Sequence, residues 1–306
     1  MDLGKSTSVM TVGSSNVSLH DLRLVAIGAP PDTDLEGFVQ IMEANVSSHE
    51  LNGASTNNIQ LVPGDIGAVE YQFGAALAAG NINECRIVGT WDYACGQELL
   101  VGAPDTGTGS TGGGVYFYEP NNDPAVEPIL VPAGSITDPN YSIGAQFGAS
   151  IAIASVERAP DFSPWETSDL EPSWVAVGAP GDERVEVYWV DHTAAAAGTS
   201  PFTHAMTLTN PNPSGSTGFG SVVVAVNVSN DGTNIPELIV SAPEGPNGGA
   251  VWVYEGLFSS PQPLNPIGLQ VSRSGDTSLP GVPTLVDSFG AALAAGPIIF
   301  DASNPI

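Results

Sequence analysis

The residues that could do chemistry in this chain are few and unevenly distributed. Cys85 and Cys95 stand ten positions apart. They fall inside one expected loop, where a disulfide would staple a long excursion of the chain. They lack the spacing and the histidine neighbours of a zinc site. A disulfide favours an oxidising compartment, and two free thiols are the alternative. The four histidines, His20, His49, His192 and His204, lie in different segments, with no H-E-x-x-H spacing. No G-x-S-x-G nucleophile elbow occurs. The run Gly112-Gly113-Gly114 is not followed by the lysine of a phosphate-binding loop and reads as a flexible hairpin tip. This inventory points to a chain that binds and does not catalyse.

Charge narrows the partners. The 306 residues carry 33 acids against 6 basic residues, a net charge of −27. Nucleic acid and anionic lipid are poor partners, because binding them requires Lys and Arg to replace counterions. A divalent cation or a cationic ligand remains, beside the plainer reading of a solvated acidic surface on a secreted or salt-exposed protein. No apolar run is long enough to insert in a membrane. Met1 leads directly into polar residues, without the apolar stretch of a signal peptide.

The elements that must position these residues come from a repeat. FGAALAAG occurs at 73–80 and again at 289–296. FGASIAIA from Phe147 and FGSVVVAV from Phe219 lie between them, and LGKSTSVM from Leu3 fits the same phase. The starts at 3, 73, 147, 219 and 289 are spaced by 70, 74, 72 and 70 residues. A second motif runs in phase: LVAIGAP ending at Pro30, LLVGAP at Pro104, WVAVGAP at Pro180 and LIVSAP at Pro243. A third follows each, from Gly37, Gly114, Arg184 and Ala250, and a weaker fourth includes 57–64 and 127–134. These segments are short, β-branched or aromatic, and bounded by Gly, Pro, Asn or Asp, as strands are. Composition agrees, with Gly 36 and Pro 26 in a 42% hydrophobic chain. An all-β protein with four complete units and the start of a fifth is expected.

The order FG, then GAP, then G-V-x-V-Y resembles the FG-GAP repeat of integrin α-chain propellers, and the resemblance covers nearly the whole chain. It implies a single β-propeller domain over 1–306, built of four-stranded antiparallel blades. In that frame Phe wedges between blades, its Gly permits close backbone approach, and Pro ends a strand by removing a ladder donor. The related propellers have seven blades, so this sequence departs from them in number. Three readings follow: a piece of a longer propeller, a small propeller closed by its last strand, or two chains completing each other as a homo-oligomer. An uncovered fifth strand would present an apolar, hydrogen-bonding edge.

The resemblance also implies a calcium loop between the first two strands of a unit. In the fourth unit Asn227, Ser229 and Asp231 match the alternating ligand positions, Gly232 matches the turn, and Thr233 offers its carbonyl. Glu237 stands two residues late for the final acid. Calcium takes six to eight oxygens, and a set with neutral ligands implies weak binding, about 10⁻⁴–10⁻³ M. An Asn-Asp-Gly turn bonded to its own backbone is the alternative. Unit two has Asn81, Asn83, Glu84 and Asp92 around the cysteines, whose disulfide would replace a metal as the staple. Unit three has Glu157, Asp161, Glu166, Asp169 and Glu171 with Trp165 and Trp174, which reads as a solvated acidic loop. Unit one has a short turn near His20 and Asp21, and Asp301 and Ser303 begin a fifth loop.

The resemblance thus implies a calcium-associated, non-catalytic, extracellular adhesion or ligand-binding module. A protein or glycan ligand would sit on the loop face. The alternatives are an assembly module whose incomplete blade pairs chains, or a non-catalytic domain of a larger secreted enzyme. Asn16, Asn45, Asn140 and Asn227 head N-x-S/T sequons, which matter only in a glycosylating host.

Overall fold

A computed structural model of the chain describes residues 6–14, 22–30, 37–45, 50–52, 59–61, 72–80, 82, 86–87, 93–104, 112–120, 130–154, 174–191, 200–212, 217–227, 236–244, 249–255, 267–272 and 288–294. These residues form strands, turns and one 3-10 turn, with no α-helix among them. The expected all-β class is what the chain adopts.

Each of the first four repeat units contributes an antiparallel sheet. Sheet 1 contains β1 (Ser6–Ser14), β2 (Leu22–Ala29), β3 (Phe38–Asn45), β4 (Glu50–Asn52) and β5 (Ile59–Leu61), the last two both pairing with β3. The second unit holds β6 (Ala76–Gly80), β7 (Arg86–Ile87), β8 (Tyr93–Gly96), β9 (Glu98–Ala103), β10 (Gly114–Pro120) and β11 (Leu130–Thr137). Sheet 2 runs β6-β9-β10-β11, while the β7–β8 hairpin leaves its own unit and pairs with β1. Sheet 3 comprises β12 (Ser150–Ala154), β13 (Trp174–Ala179), β14 (Arg184–Val190) and β15 (Phe202–Thr209). Sheet 4 comprises β16 (Val223–Val226), β17 (Glu237–Ala242), β18 (Ala250–Glu255) and β19 (Ile267–Ser272). The first strands pack in series, β6 against β1 and β12, and β12 against β16.

Alternation along the strands explains why the sheets stack. All six residues of β9 and of β13 are buried, so both faces of sheets 2 and 3 are covered. Leu99, Val101 and Ala103 enter the core shared with Ala26, Val39 and Ile41 of sheet 1. Leu100, from the opposite face, joins Val175, Val177 and Ala179 of sheet 3. The other face of β13, Trp174 and Ala176, meets Leu238, Val240 and Trp252 of sheet 4. Each of the three cores contains one FG phenylalanine, Phe73, Phe147 or Phe219, and each of these is fully buried.

The FG dipeptide is a turn before the first strand rather than its first residues. Gly74, Gly148, Gly220 and Gly290 have φ of 90°, 96°, 94° and 89°, a backbone that residues with a Cβ rarely adopt. Gly74, Gly148 and Gly220 donate their N–H to Gly102, Gly178 and Ser241 of the GAP strand in the same sheet at 2.9–3.0 Å. The turn then presses on the preceding sheet. A Cβ on Gly37, Gly113 or Gly249 would stand 2.0, 2.1 or 2.3 Å from the carbonyl oxygen of Phe73, Phe147 or Phe289.

Two expectations change. Gly112, Gly113 and Gly114 lie between the second strand of sheet 2 and its third, but all three are buried: Gly113 bridges to Phe147, Gly112 accepts the Phe147 N–H at 3.1 Å, and Gly114 opens β10. Backbone closeness, not mobility, requires glycine at 112 and 113, where a Cβ would stand 2.6 Å from the Ser142 carbonyl oxygen and 2.1 Å from that of Phe147. The fifth unit has its FG turn, with Ala291 donating to the Ser288 carbonyl at 3.0 Å, but residues 291–294 lie in no strand.

Candidate functional site

The ends of the expected calcium loop are held together by the β16–β17 pairing. Val226 pairs with Glu237, which places Asn227 just beyond the last pair, at the mouth of the loop. Asn227 is exposed, whereas Glu237 is buried at the start of β17. Ser229, Asp231 and Thr233 lie outside the described residues. No group of three or more His, Cys, Asp or Glu side chains that could hold a metal occurs among the described residues.

Sheet 2 shows one use for an acid at this place. Glu98 occupies in β9 the position of Glu237 in β17, with Gly80 as its cross-strand partner. It is buried, and its carboxylate accepts the N–H of Ile82 at 2.7 Å, closing the start of its loop. Cys95 lies on β8, whose side chains are not described, and Cys85, Asn81, Asn83, Glu84 and Asp92 lie outside the described residues. So do the acids expected at 157–171, with Trp165, and also His20, Asp21, His49, His192, Asp301 and Ser303. Trp174 is a fully buried core residue of β13.

At the opposite end of the sheets, where second strands pass into third strands, a polar cluster fills the outer part of the sheet 2–sheet 3 interface. Arg184, first in β14, bonds both carboxylate oxygens of Asp138 at 2.9 and 2.6 Å. It also reaches Asp182 at 3.1 Å, the Asn140 carbonyl at 3.1 Å, and Glu186. Glu186 is fully buried and accepts from Asn140 Nδ2 at 2.9 Å, Thr207 Oγ1 at 2.7 Å and Arg184. His204 Nε2 lies 2.7 Å from its second oxygen. Ser142 donates to Asp182 at 2.5 Å.

These bonds decide the charge states. Burial opposes ionisation of Glu186, but hydrogen bonds from Asn140, Thr207, His204 and Arg184 outweigh it and hold the carboxyl below its usual range. Burial likewise works against the Arg184 charge, and Asp138, then Asp182 and Glu186, reverse that effect and raise its pKa. Both terminal guanidinium nitrogens are committed and each Glu186 oxygen is engaged, so the cluster is closed on itself. Its chemistry is to join residues 138–142, after β11, to β14 and β15.

Glu183, one residue earlier, faces the other neighbour. It precedes the third strand, where the other units have Gly37, Gly113 and Gly249, and takes a left-handed φ of 56°. Its Oε1 accepts the N–H groups of Thr217 at 2.6 Å and Gly218 at 2.8 Å. Its Oε2 accepts from Phe219 N at 3.2 Å, Asn210 Nδ2 at 2.9 Å and the Thr217 hydroxyl. Burial opposes its charge, and the Thr217, Gly218 and Phe219 bonds more than compensate, lowering its pKa.

Sequence reasoning missed this hub. Its signal was present: Arg184 and Glu186 alternate on one face of a strand whose equivalents carry Gly114 and Tyr116 in sheet 2, and Ala250 and Trp252 in sheet 4. No family model matches the chain, and no curated protein matches it.

Proposed function

We propose that the chain is a β-propeller of FG-GAP units that acts as a calcium-associated, non-catalytic adhesion or ligand-binding module outside the cell. The observation that carries this reading is the recurrence of one turn. The FG glycine has the same backbone in four copies, and each FG phenylalanine sits against the glycine or Glu183 that precedes the third strand of the unit before it. The series of first strands β1, β6, β12 and β16 supports a radial arrangement of blades. The 227–237 loop, its ends gathered by β16 and β17, is where Asn227, Ser229, Asp231, Thr233 and Glu237 would hold the cation, and a protein or glycan ligand would meet a loop face of the blades.

Calorimetric titration with calcium tests the metal. Weak heat in the wild type that disappears in Asp231→Ala is expected. No heat and no change in melting temperature with added calcium would remove calcium from the reading. Glycan and peptide arrays probed with and without calcium would then address the ligand.

A second reading, an assembly module, is favoured by Phe289. Phe73, Phe147 and Phe219 are 0% exposed, whereas Phe289 is 36% exposed on the outer face of sheet 4. Another unit, from this chain or a second copy, would cover it. Light scattering across a dilution series tests pairing, and a strict monomer at the highest concentration would end it.

A further inference from the structure

Residues 180–186, at the passage from β13 to β14, grip both neighbouring sheets through carboxylates. Glu183 gathers three consecutive backbone N–H groups of the FG turn that opens sheet 4. Glu186, facing the other way along β14, gathers Asn140 and Arg184, and Arg184 holds Asp138 at the end of sheet 2. On one side Gly181 also donates its N–H to Ala145 at 3.0 Å; on the other Asn210, whose N–H bonds the Glu183 carbonyl at 3.0 Å, donates Nδ2 to the Thr217 hydroxyl at 2.7 Å. In the equivalent places the other units have Gly37, Gly113 and Gly249 before the third strand and Gln40, Tyr116 and Trp252 in place of Glu186, none of them a carboxylic acid.

We propose that residues 180–186 are an acid-releasable clasp, so that protonating Glu183 frees the FG turn of sheet 4, and protonating Glu186 frees residues 138–142 of sheet 2. A protonated carboxyl keeps full acceptor capacity on its carbonyl oxygen alone, so it can no longer meet every donor that Glu183 gathers on two oxygens, and those left over remain buried without an acceptor. Glu183 is held by neutral donors only, from Asn210, Thr217, Gly218 and Phe219, so its grip is independent of ionic strength. The charged and titratable groups facing Glu186 are Arg184, Asp138, Asp182, His204 and Tyr188. Both carboxyls lie below the ordinary 4.5 in the folded state. Their contribution is therefore present above 4.5 and lost as pH falls through the folded values.

The test is amide hydrogen exchange of the whole chain from neutral pH into acid, corrected for intrinsic rates. Thr217, Gly218 and Phe219 are expected to lose protection at a higher pH than Val175 and Val177 in β13. Loss of all five in a single step would overturn the proposal. Glu183→Gly places at 183 the residue found at the same point in the other units, and its backbone suits a positive φ. It should fold, and exchange Thr217 to Phe219 about tenfold or more faster at neutral pH. Wild-type protection at 217–219 in that variant would also overturn it. Glu183→Gln supplies a second check: its protection should no longer change with pH between neutrality and acid, and an unchanged acid step would contradict the assignment to Glu183.

Discussion

Gly102 and Gly148, in adjacent sheets, approach so closely that a Cβ on Gly102 would stand 2.1 Å from the Gly148 carbonyl oxygen. Gly178 meets Gly220 at the same 2.1 Å one interface along. The GAP glycine of one sheet is therefore a seat for the FG glycine of the next. Gly102→Ala must push back a backbone carbonyl, and is expected to lose more than about 2 kcal/mol in urea unfolding. A change within about 0.5 kcal/mol would mean that the two sheets can part there at little cost.

Burial separates the copies of the FG phenylalanine. Phe147 is 0% exposed among Val177, Ala179 and Tyr188, while Phe289 is 36% exposed. Phe147→Ala should cost about 3–5 kcal/mol, and Phe289→Ala less than half of that in a monomer. An equal cost at both, measured by denaturant midpoint, would show that Phe289 is covered in solution.

Arg184 is the sole guanidinium in a cluster with Asp138, Asp182 and Glu186. Arg184→Met leaves two deeply buried carboxylates without their cation and should cost about 3–5 kcal/mol at neutral pH. The loss should shrink at acid pH, where Glu186 can take up a proton. A pH-independent loss would mean that Arg184 contributes packing alone.

Tyr188 and Tyr254 have pKa values raised above the usual 10, both by burial first, with Glu186 and Asp138 adding to it at Tyr188. A raised value stabilises the fold below 10, and that contribution is lost as pH rises towards the folded values. In an ultraviolet titration these two rings should ionise only as the near-ultraviolet dichroism collapses. Complete ionisation with intact dichroism would contradict their burial.

If Cys85 and Cys95 are joined, the closed loop contributes about 2–3 kcal/mol. Mass spectrometry after alkylation without reductant should then find no modified cysteine, and Cys85→Ser should melt at a lower temperature. Two alkylated cysteines in the folded chain would show free thiols.

Local chemistry made much of the architecture legible. WVAVGAP and LIVSAP read as strands because branched side chains suit a pleat and proline ends the ladder, and both form β13 and β17 as expected. The strands that bracket the candidate loop were legible for the same reason, as β16 and β17. The excursion of β7 and β8 onto β1 was not, since no local preference names a partner in another unit. Gly112 and Gly113 read as mobile for a related reason: the residues that press on them, Ser142 and Phe147, are about thirty positions away or more.

By itself, then, the sequence determined the period and most of the strands, because alternation and strand preference act over a few residues, while the FG turns emerged only with the fold. Only the tertiary structure decided what Glu183, Arg184 and Glu186 do. Their partners Asp138, Asn140, Thr207, Thr217 and Gly218 come from up to 46 positions away. In the sequence these charges look like solvated surface. Stacked sheets remove the water, and a carboxylate without water must be met by whatever donors the neighbouring sheet supplies.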